Sequence, residues 1–196
     1  MRSTNQVYTG DDYQLRLGIF ISNLRFIREH NSANQRFTVT ANKYAALTPS
    51  EYKALLGIRI GHNMPKKTKR LTGKNDDSLD WRDKNVVNPV KDQGQCGSCY
   101  AFAAIQAAES AYALSTGTLL RLSEQNVVDC ASIVDFCYGC EGGFLYGAYN
   151  FFIKRQKGQF ILEDDYPYTG VENDCKADDL TLVASISDYI NINEND

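Results

Sequence analysis

Gln93-Gly94-Gln95-Cys96-Gly97-Ser98-Cys99-Tyr100-Ala101-Phe102-Ala103-Ala104-Ile105-Gln106-Ala107-Ala108-Glu109-Ser110-Ala111 joins a loop of small residues to a run of strong helix formers. The run is apolar nearly all round, which predicts a helix that is largely buried. Gly117 is placed to end it. Cys99 then stands at a helix start, where unpaired backbone N–H groups and the helix dipole favour negative charge. A thiol there ionises more readily, and the thiolate is the nucleophilic form. Gly97 and Ser98 leave room for a substrate backbone. Gln93, six residues upstream, offers an amide donor, and an amide plus the N–H of Cys99 is a sufficient oxyanion hole.

The same cysteines admit rival readings. The chain has six: Cys96, Cys99, Cys130, Cys137, Cys140 and Cys175. Cys96/Cys99 and Cys137/Cys140 are two C-x-x-C pairs, a spacing that can hold zinc in a four-thiolate site. A thioredoxin-like redox pair is a third option, but no βαβ pattern surrounds it. On spacing alone, zinc and nucleophile stay level. Context favours the nucleophile, because a zinc knuckle needs neither a long helix opening on its second ligand nor a glutamine six residues earlier.

Working outward, Ser123 can cap a helix running through Asp129, Gly139, Gly142 and Gly143 mark a tight loop, and 147–154 suggests a third helix. A loose alternation over 183–192 suggests a strand. Upstream, Leu15, Phe20, Ile19, Leu24, Phe26 and Ile27 predict a helix over 11–31. The β-branched stretch 37–40 suggests a short strand. Thr48-Pro49-Ser50-Glu51 reads as the start of a helix covering 51–56. Between 61 and 78 the pattern fades into a basic, then polar, connector, which reads as a domain boundary and an accessible place for nicking.

Composition sets the outer limits. The 196 residues carry a formal net charge of −3 and are 43% hydrophobic, as for an ordinary globular protein. No clustered basic face suggests nucleic acid. No stretch approaches the roughly 20 apolar residues that span a bilayer. No cofactor motif or metal site is expected once the zinc reading is set aside.

The segment 93–102 resembles the active-site segment of papain-like cysteine peptidases of the cathepsin L group. The resemblance continues through Asp80-Trp81-Arg82, Leu122-Ser123-Glu124-Gln125, Val128-Asp129-Cys130, Gly139-Cys140-Glu141-Gly142-Gly143 and Asp165-Tyr166-Pro167-Tyr168, in the family's order. Tyr100 stands where the family more often has Trp. The first half resembles the family's inhibitory propeptide: Arg16, Phe20, Asn23, Ile27 and Asn31 follow the spacing of its interspersed motif, with Asp12 for the usual leading Glu. In the second propeptide motif Asn42 and Tyr44 fit, while Thr40 and Ala46 replace Gly and Asp.

The resemblance implies an α+β fold: a helical cathepsin propeptide, then the mainly helical left domain of the papain-like fold, with the β-rich right-hand domain largely absent. The implied boundaries are a propeptide inhibitor-like domain over 1–60, a connector over 61–77 and the N-terminal part of the peptidase domain over 78–196. It implies Cys99 as nucleophile, Gln93 in the oxyanion hole, and Gly142, Gly143, Phe144 and Leu145 as substrate-binding residues. The glycines would bond an extended peptide, and Phe144 and Leu145 would wall an apolar pocket. It also implies disulfides Cys96–Cys140 and Cys130–Cys175, leaving Cys137 unpaired. Protein or peptide substrates, the chain's own propeptide and cystatin-type inhibitors are the implied partners.

One part of the machinery is missing from the sequence. The papain pattern places His and Asn roughly 130–150 residues after the Cys, whereas 97 residues follow Cys99 and the two histidines are His30 and His62. The expectation is therefore a peptidase zymogen truncated at both ends and inactive as this chain, from a lysosomal or secreted parent. The alternative is a non-catalytic, propeptide-like inhibitor or binding protein of cysteine peptidases.

Overall fold

The computed structural model describes residues 7–33, 35–56, 68–69 and 77–192, which divide into two units, Met1–Leu55 and Leu56–Asp196. Most of the connector expected over 61–77 lies outside the described residues, as does His62.

In the first unit, α1 runs Gly10–Ser32 and α2 runs Pro49–Ala54. Helix α2 starts where its sequence dictates. Thr48 accepts from the Glu51 N–H, the Glu51 side chain reaches back to the Thr48 N–H, and Pro49 sits in the first turn. Three residues of the spaced motif on α1 do one job. Arg16 binds both oxygens of Glu51 and the Ala46 carbonyl, Asn23 donates to the Ala45 carbonyl at 2.8 Å, and Asn31 donates to the Val39 carbonyl at 2.8 Å. Their seven- and eight-residue intervals put them along one side of the helix, where they hold the returning chain 39–51. Arg16 drives the Glu51 carboxyl down to about 2, chiefly through its hydrogen bonds, with Thr48 adding to the effect.

The strand expected at 37–40 does not form. The Val39 N–H and C=O are both taken by the Asn31 side chain, and the Phe37 carbonyl meets the His30 ring at 3.1 Å. These side chains satisfy backbone groups that a neighbouring strand would otherwise have to pair.

The second unit is built on α3 (Cys99–Thr116), with α4 (Glu124–Cys130) and α5 (Leu145–Arg155) against it. Ser123 caps α4 by accepting from the Asn126 N–H. Gly117 ends α3 in the left-handed region. Helix α3 buries one face and leaves the other in solvent: Tyr100, Ala104, Ile105 and Ala108 are buried, while Ala103, Ala107 and Leu114 are exposed. This corrects the expectation of a largely buried helix, because small Ala side chains satisfy helix propensity without needing cover. Leu122, Val127, Val128, Phe152 and Phe160 complete the core.

Strands are few among the described residues. β1 (Thr68–Lys69) pairs parallel with β4 (Asn191–Ile192), and β2 (Gln159–Ile161) pairs antiparallel with β3 (Leu182–Ser185). The single strand expected over 183–192 is thus two pieces that join different partners. No helix among the described residues is long and apolar enough to cross a membrane.

Candidate active site

Cys99 is the first residue of α3 and is half-buried. The residue before it, Ser98, is fully buried but does not cap the helix. Its hydroxyl is bonded instead to the Tyr168 hydroxyl at 2.6 Å. Among the described residues no side-chain oxygen therefore competes for the N–H groups of the first turn of α3, which is what an anion site at a helix start requires.

The loop before Cys99 is held from several sides. Gln93 donates through Nε2 to the Cys96 carbonyl at 2.8 Å, so its amide lies across the loop that delivers the thiol. The Tyr168 hydroxyl donates to the Gln93 carbonyl at 2.8 Å, and its ring meets Phe102 edge-on with centroids 4.8 Å apart. Cys96 and Cys140 form a disulfide, and Gly97 donates to the Cys140 carbonyl at 2.9 Å. A second disulfide joins Cys130 to Cys175. The first bridge takes one sulfur from each C-x-x-C pair, so a four-thiolate zinc arrangement does not fit this geometry. Cys137 is buried, its thiol donating weakly to the Asp135 carbonyl at 3.8 Å, and burial pushes it up to about 12, so it is no nucleophile near neutral pH.

Segment 140–144 starts from the Cys96–Cys140 bridge. Cys137 and Gly143 face each other as an antiparallel bridge. The hydrogen bonds on either side run from the Tyr138 N–H to the Gly142 carbonyl and from the Phe144 N–H to the Phe136 carbonyl. Cys137 and Gly143 are therefore a non-hydrogen-bonded pair, and the N–H and C=O of Gly143 point to the opposite edge. Among the described residues neither group carries a hydrogen bond. Gly143 must be glycine: a Cβ there would lie 2.9 Å from the Tyr100 ring, which is fully buried with its hydroxyl on the Gly139 carbonyl. Phe144 packs against Phe136 and Tyr146, and Leu145, opening α5, is 37% exposed.

Behind the loop lies a buried ionic cluster that the sequence did not announce. The Lys91 ammonium donates to Glu109 at 2.8 Å and Glu124 at 2.6 Å. Glu109, on the third turn of α3, also accepts from the Asn88 amide and the Leu122 N–H. Burial lowers Lys91, but its bonds to the two glutamates outweigh that and raise it overall. Burial pushes the Glu124 carboxyl up to about 7 despite Lys91, and among the described residues its second oxygen has no hydrogen-bond partner.

Cys99 thus opens α3 at the end of the loop that carries Gln93, and that loop is bridged to the segment that continues to the edge of Gly143. A family profile described as "Papain family cysteine protease" matches residues 75–196, and one described as "Cathepsin propeptide inhibitor domain (I29)" matches residues 1–52. The chain belongs to the papain family of cysteine proteases, with a propeptide inhibitor domain in front. It is 40% identical to pro-cathepsin H of Bos taurus over 193 residues, covering 96% of this chain and 57% of that protein. It is 36% identical to cysteine proteinase 3 of Dictyostelium discoideum over 206 residues, covering all of this chain and 60% of the relative. Among solved structures it resembles procathepsin L2 from the Tenebrio molitor larval midgut (TM-score 0.83, 28% identity, 96% of this chain and 64% of that one). It also resembles a recombinant stem bromelain precursor (TM-score 0.78, 33% identity, 95% and 61%). The chain therefore spans just over half to about two thirds of the length of these proteins.

Proposed function

We propose that this sequence belongs to a cysteine-type endopeptidase made as a zymogen, with Cys99 as nucleophile and Gln93 completing the oxyanion hole. The observation that carries the reading is that Cys99 opens a helix that Ser98 does not cap, on the same loop that the Gln93 amide ties through the Cys96 carbonyl. The Cys99 thiolate attacks the carbonyl carbon of a peptide bond, and the oxygen takes up negative charge. The Gln93 amide and the Cys99 N–H stabilise it there. Collapse expels the amine and leaves a thioester, which water then hydrolyses to free Cys99 and release the acid. The amine must be protonated as it leaves, and no histidine follows Cys99 within the 196 residues. The chain as written is thus a peptidase domain without its acid–base partner and does not turn over.

An extended peptide lies along the open edge of Gly143, with Gly142 towards Cys99, and Phe144 and Leu145 offer apolar walls. The first unit inhibits its own peptidase, in keeping with the profile it matches. Two disulfides suit a secreted or lysosomal setting. The test is to express the complete gene product, process it, and assay fluorogenic peptides. Hydrolysis that disappears in Cys99→Ala is the expected result. Full activity in Cys99→Ala, or hydrolysis by the purified 196-residue chain, refutes the reading.

A further inference from the structure

The hydroxyl of Tyr168 sits between the two residues that flank the loop before Cys99. It lies 2.6 Å from the Ser98 hydroxyl and 2.8 Å from the Gln93 carbonyl oxygen. A carbonyl can only accept, so the phenol proton goes to Gln93. That proton being spent, Ser98 is the donor in its own contact with the phenol. The three groups form a chain with one direction, Ser98 to Tyr168 to Gln93, in which each bond polarises the next. Burial raises the phenol above its usual value, so it stays protonated and keeps its proton for Gln93.

The rest of Tyr168 is held by groups outside the loop. Its N–H donates to the Glu163 carboxylate at 3.1 Å. On either side, the Tyr166 carbonyl accepts from the Ser123 hydroxyl at 2.7 Å, and the Thr169 N–H donates to the Gln125 side chain at 2.8 Å. Ser123 and Gln125 are buried at the start of α4. The ring stands edge-on to Phe102 of α3. The hydroxyl is thus placed by α3, α4 and Glu163, and the loop is placed by the hydroxyl. A phenylalanine would keep all of these contacts and lose the two to the loop, which sets the hydroxyl's task apart from packing. Gln93 is held at two points, its carbonyl by Tyr168 and its amide by the Cys96 carbonyl. Gly94, next in the chain, has a left-handed φ of 64°, and a glycine turn has no stiffness of its own. A Gln93 backbone free to shift would carry its amide away from Cys99.

We propose that Tyr168 is a positioning residue for the oxyanion hole: its hydroxyl, bridging Ser98 and Gln93, fixes the Gln93 amide relative to the Cys99 N–H, where the negative oxygen forms. The proposal rests on the peptidase reading above, and in it Tyr168 acts through Gln93 without touching the substrate.

The test uses the complete, processed enzyme, a fluorogenic peptide substrate and iodoacetamide. Tyr168→Phe removes the hydroxyl and keeps the ring. It should lower kcat by about tenfold, within the roughly 100-fold that a misplacement of about 1 Å can cost, and leave KM within about twofold. Alkylation of Cys99 by iodoacetamide forms no oxyanion, so its rate should stay within about twofold of wild type. Gln93→Ala should lower kcat by about 100-fold or more. Tyr168→Phe added to it should lower kcat by less than about twofold further, as two changes acting through one group do. Ser98→Ala combined with Tyr168→Phe controls for folding. It removes the buried hydroxyl that the single variant leaves without its acceptor, so thermal stability should recover towards wild type while kcat stays low. An unchanged kcat in Tyr168→Phe overturns the proposal. So does a tenfold fall repeated in the Gln93→Ala background, or an equal fall in alkylation, which assigns the effect to the thiol. Recovery of kcat together with stability in the double variant overturns it too, since the hydroxyl would then serve packing alone. A Gln93→Ala enzyme with unchanged kcat overturns the role of Gln93 and this proposal with it. A wild-type enzyme that hydrolyses nothing overturns the peptidase reading beneath both.

Discussion

Lys91→Met tests whether the buried cluster stabilises the unit that holds the Cys99 loop. The ammonium is the shared partner of two carboxylates that have almost no contact with water, Glu109 at 0% and Glu124 at 1% exposure. Methionine keeps the stem and removes the charge. Glu109 retains the Asn88 amide and the Leu122 N–H, but Glu124 loses the ammonium while its other oxygen already lacks a hydrogen-bond partner among the described residues. Removing one member of a buried ion pair costs about 3–5 kcal/mol, and that is the loss expected at pH 8. Part of it depends on pH, and the sign follows from Glu124. Its carboxyl is raised from 4.5 to about 7 by burial. The stability linked to its protonated form is complete below pH 4.5 and is lost as pH rises through 7.

At pH 5 the carboxyl is already mostly protonated in the native protein, so losing Lys91 matters less. At pH 8 it is mostly ionised. If the substitution pushes it above 8, each unit between 7 and the working pH adds about 1.4 kcal/mol. Urea denaturation at pH 5 and pH 8 should therefore give a loss that is larger at pH 8 by about 1.4 kcal/mol. Glu124→Gln in the Lys91→Met background should remove that difference. A loss below 1 kcal/mol at both pH values, or an equal loss at the two, would refute the reasoning.

Two further outcomes can be measured on the same chain. Cys130→Ser with Cys175→Ser opens a loop with a sequence separation of 45 residues; urea midpoints should show a loss of about 4 kcal/mol on the chain-entropy account. In the first unit, Glu51 is held down to about 2 from 4.5, chiefly by its hydrogen bonds to Arg16, so the hold of α1 on α2 is complete above about pH 4.5 and is lost as pH falls towards 2. Amide chemical shifts of α2 followed through an acid titration should show that loss, and Glu51→Gln should flatten it.

Local rules carried the sequence reading a long way, and it failed where contacts are distant. The starts of α2 and α4 were legible because Thr48 with Glu51, and Ser123, act within one turn. The spaced motif on α1 was visible as a helix face, but its task was not, since Asn31 and Asn23 act on carbonyls 8 and 22 residues away. The stretch 37–40 was misread for the same reason: β-branched composition marks a backbone willing to extend, while the partner was an asparagine side chain on α1 and not a strand. Lys91 gave no signal at all. A lysine in a polar loop is read as solvated, and only folding brings it within reach of Glu109, 18 residues on, and Glu124, 33 residues on.

Those distant contacts explain how a loop of small residues can place the Cys99 thiol proposed as nucleophile. Segment 91–98 contains two glycines and has no secondary structure of its own before α3, so its shape must be imposed. At its start Lys91 is bonded to Glu109, on the helix that Cys99 begins, which ties the loop to α3 itself. In the middle the Gln93 carbonyl accepts from Tyr168, whose hydroxyl also meets Ser98, so one phenol fixes both flanks of the turn. Near its end the Cys96–Cys140 bridge and the Gly97 N–H fasten it to the segment that continues to Gly143. A site that must hold reacting groups to a fraction of an ångström needs support of this kind. The third set of ties also fixes the loop carrying the thiol against the strand edge proposed for the substrate. The glycines supply the room and the turn, and residues up to 75 positions away supply the rigidity.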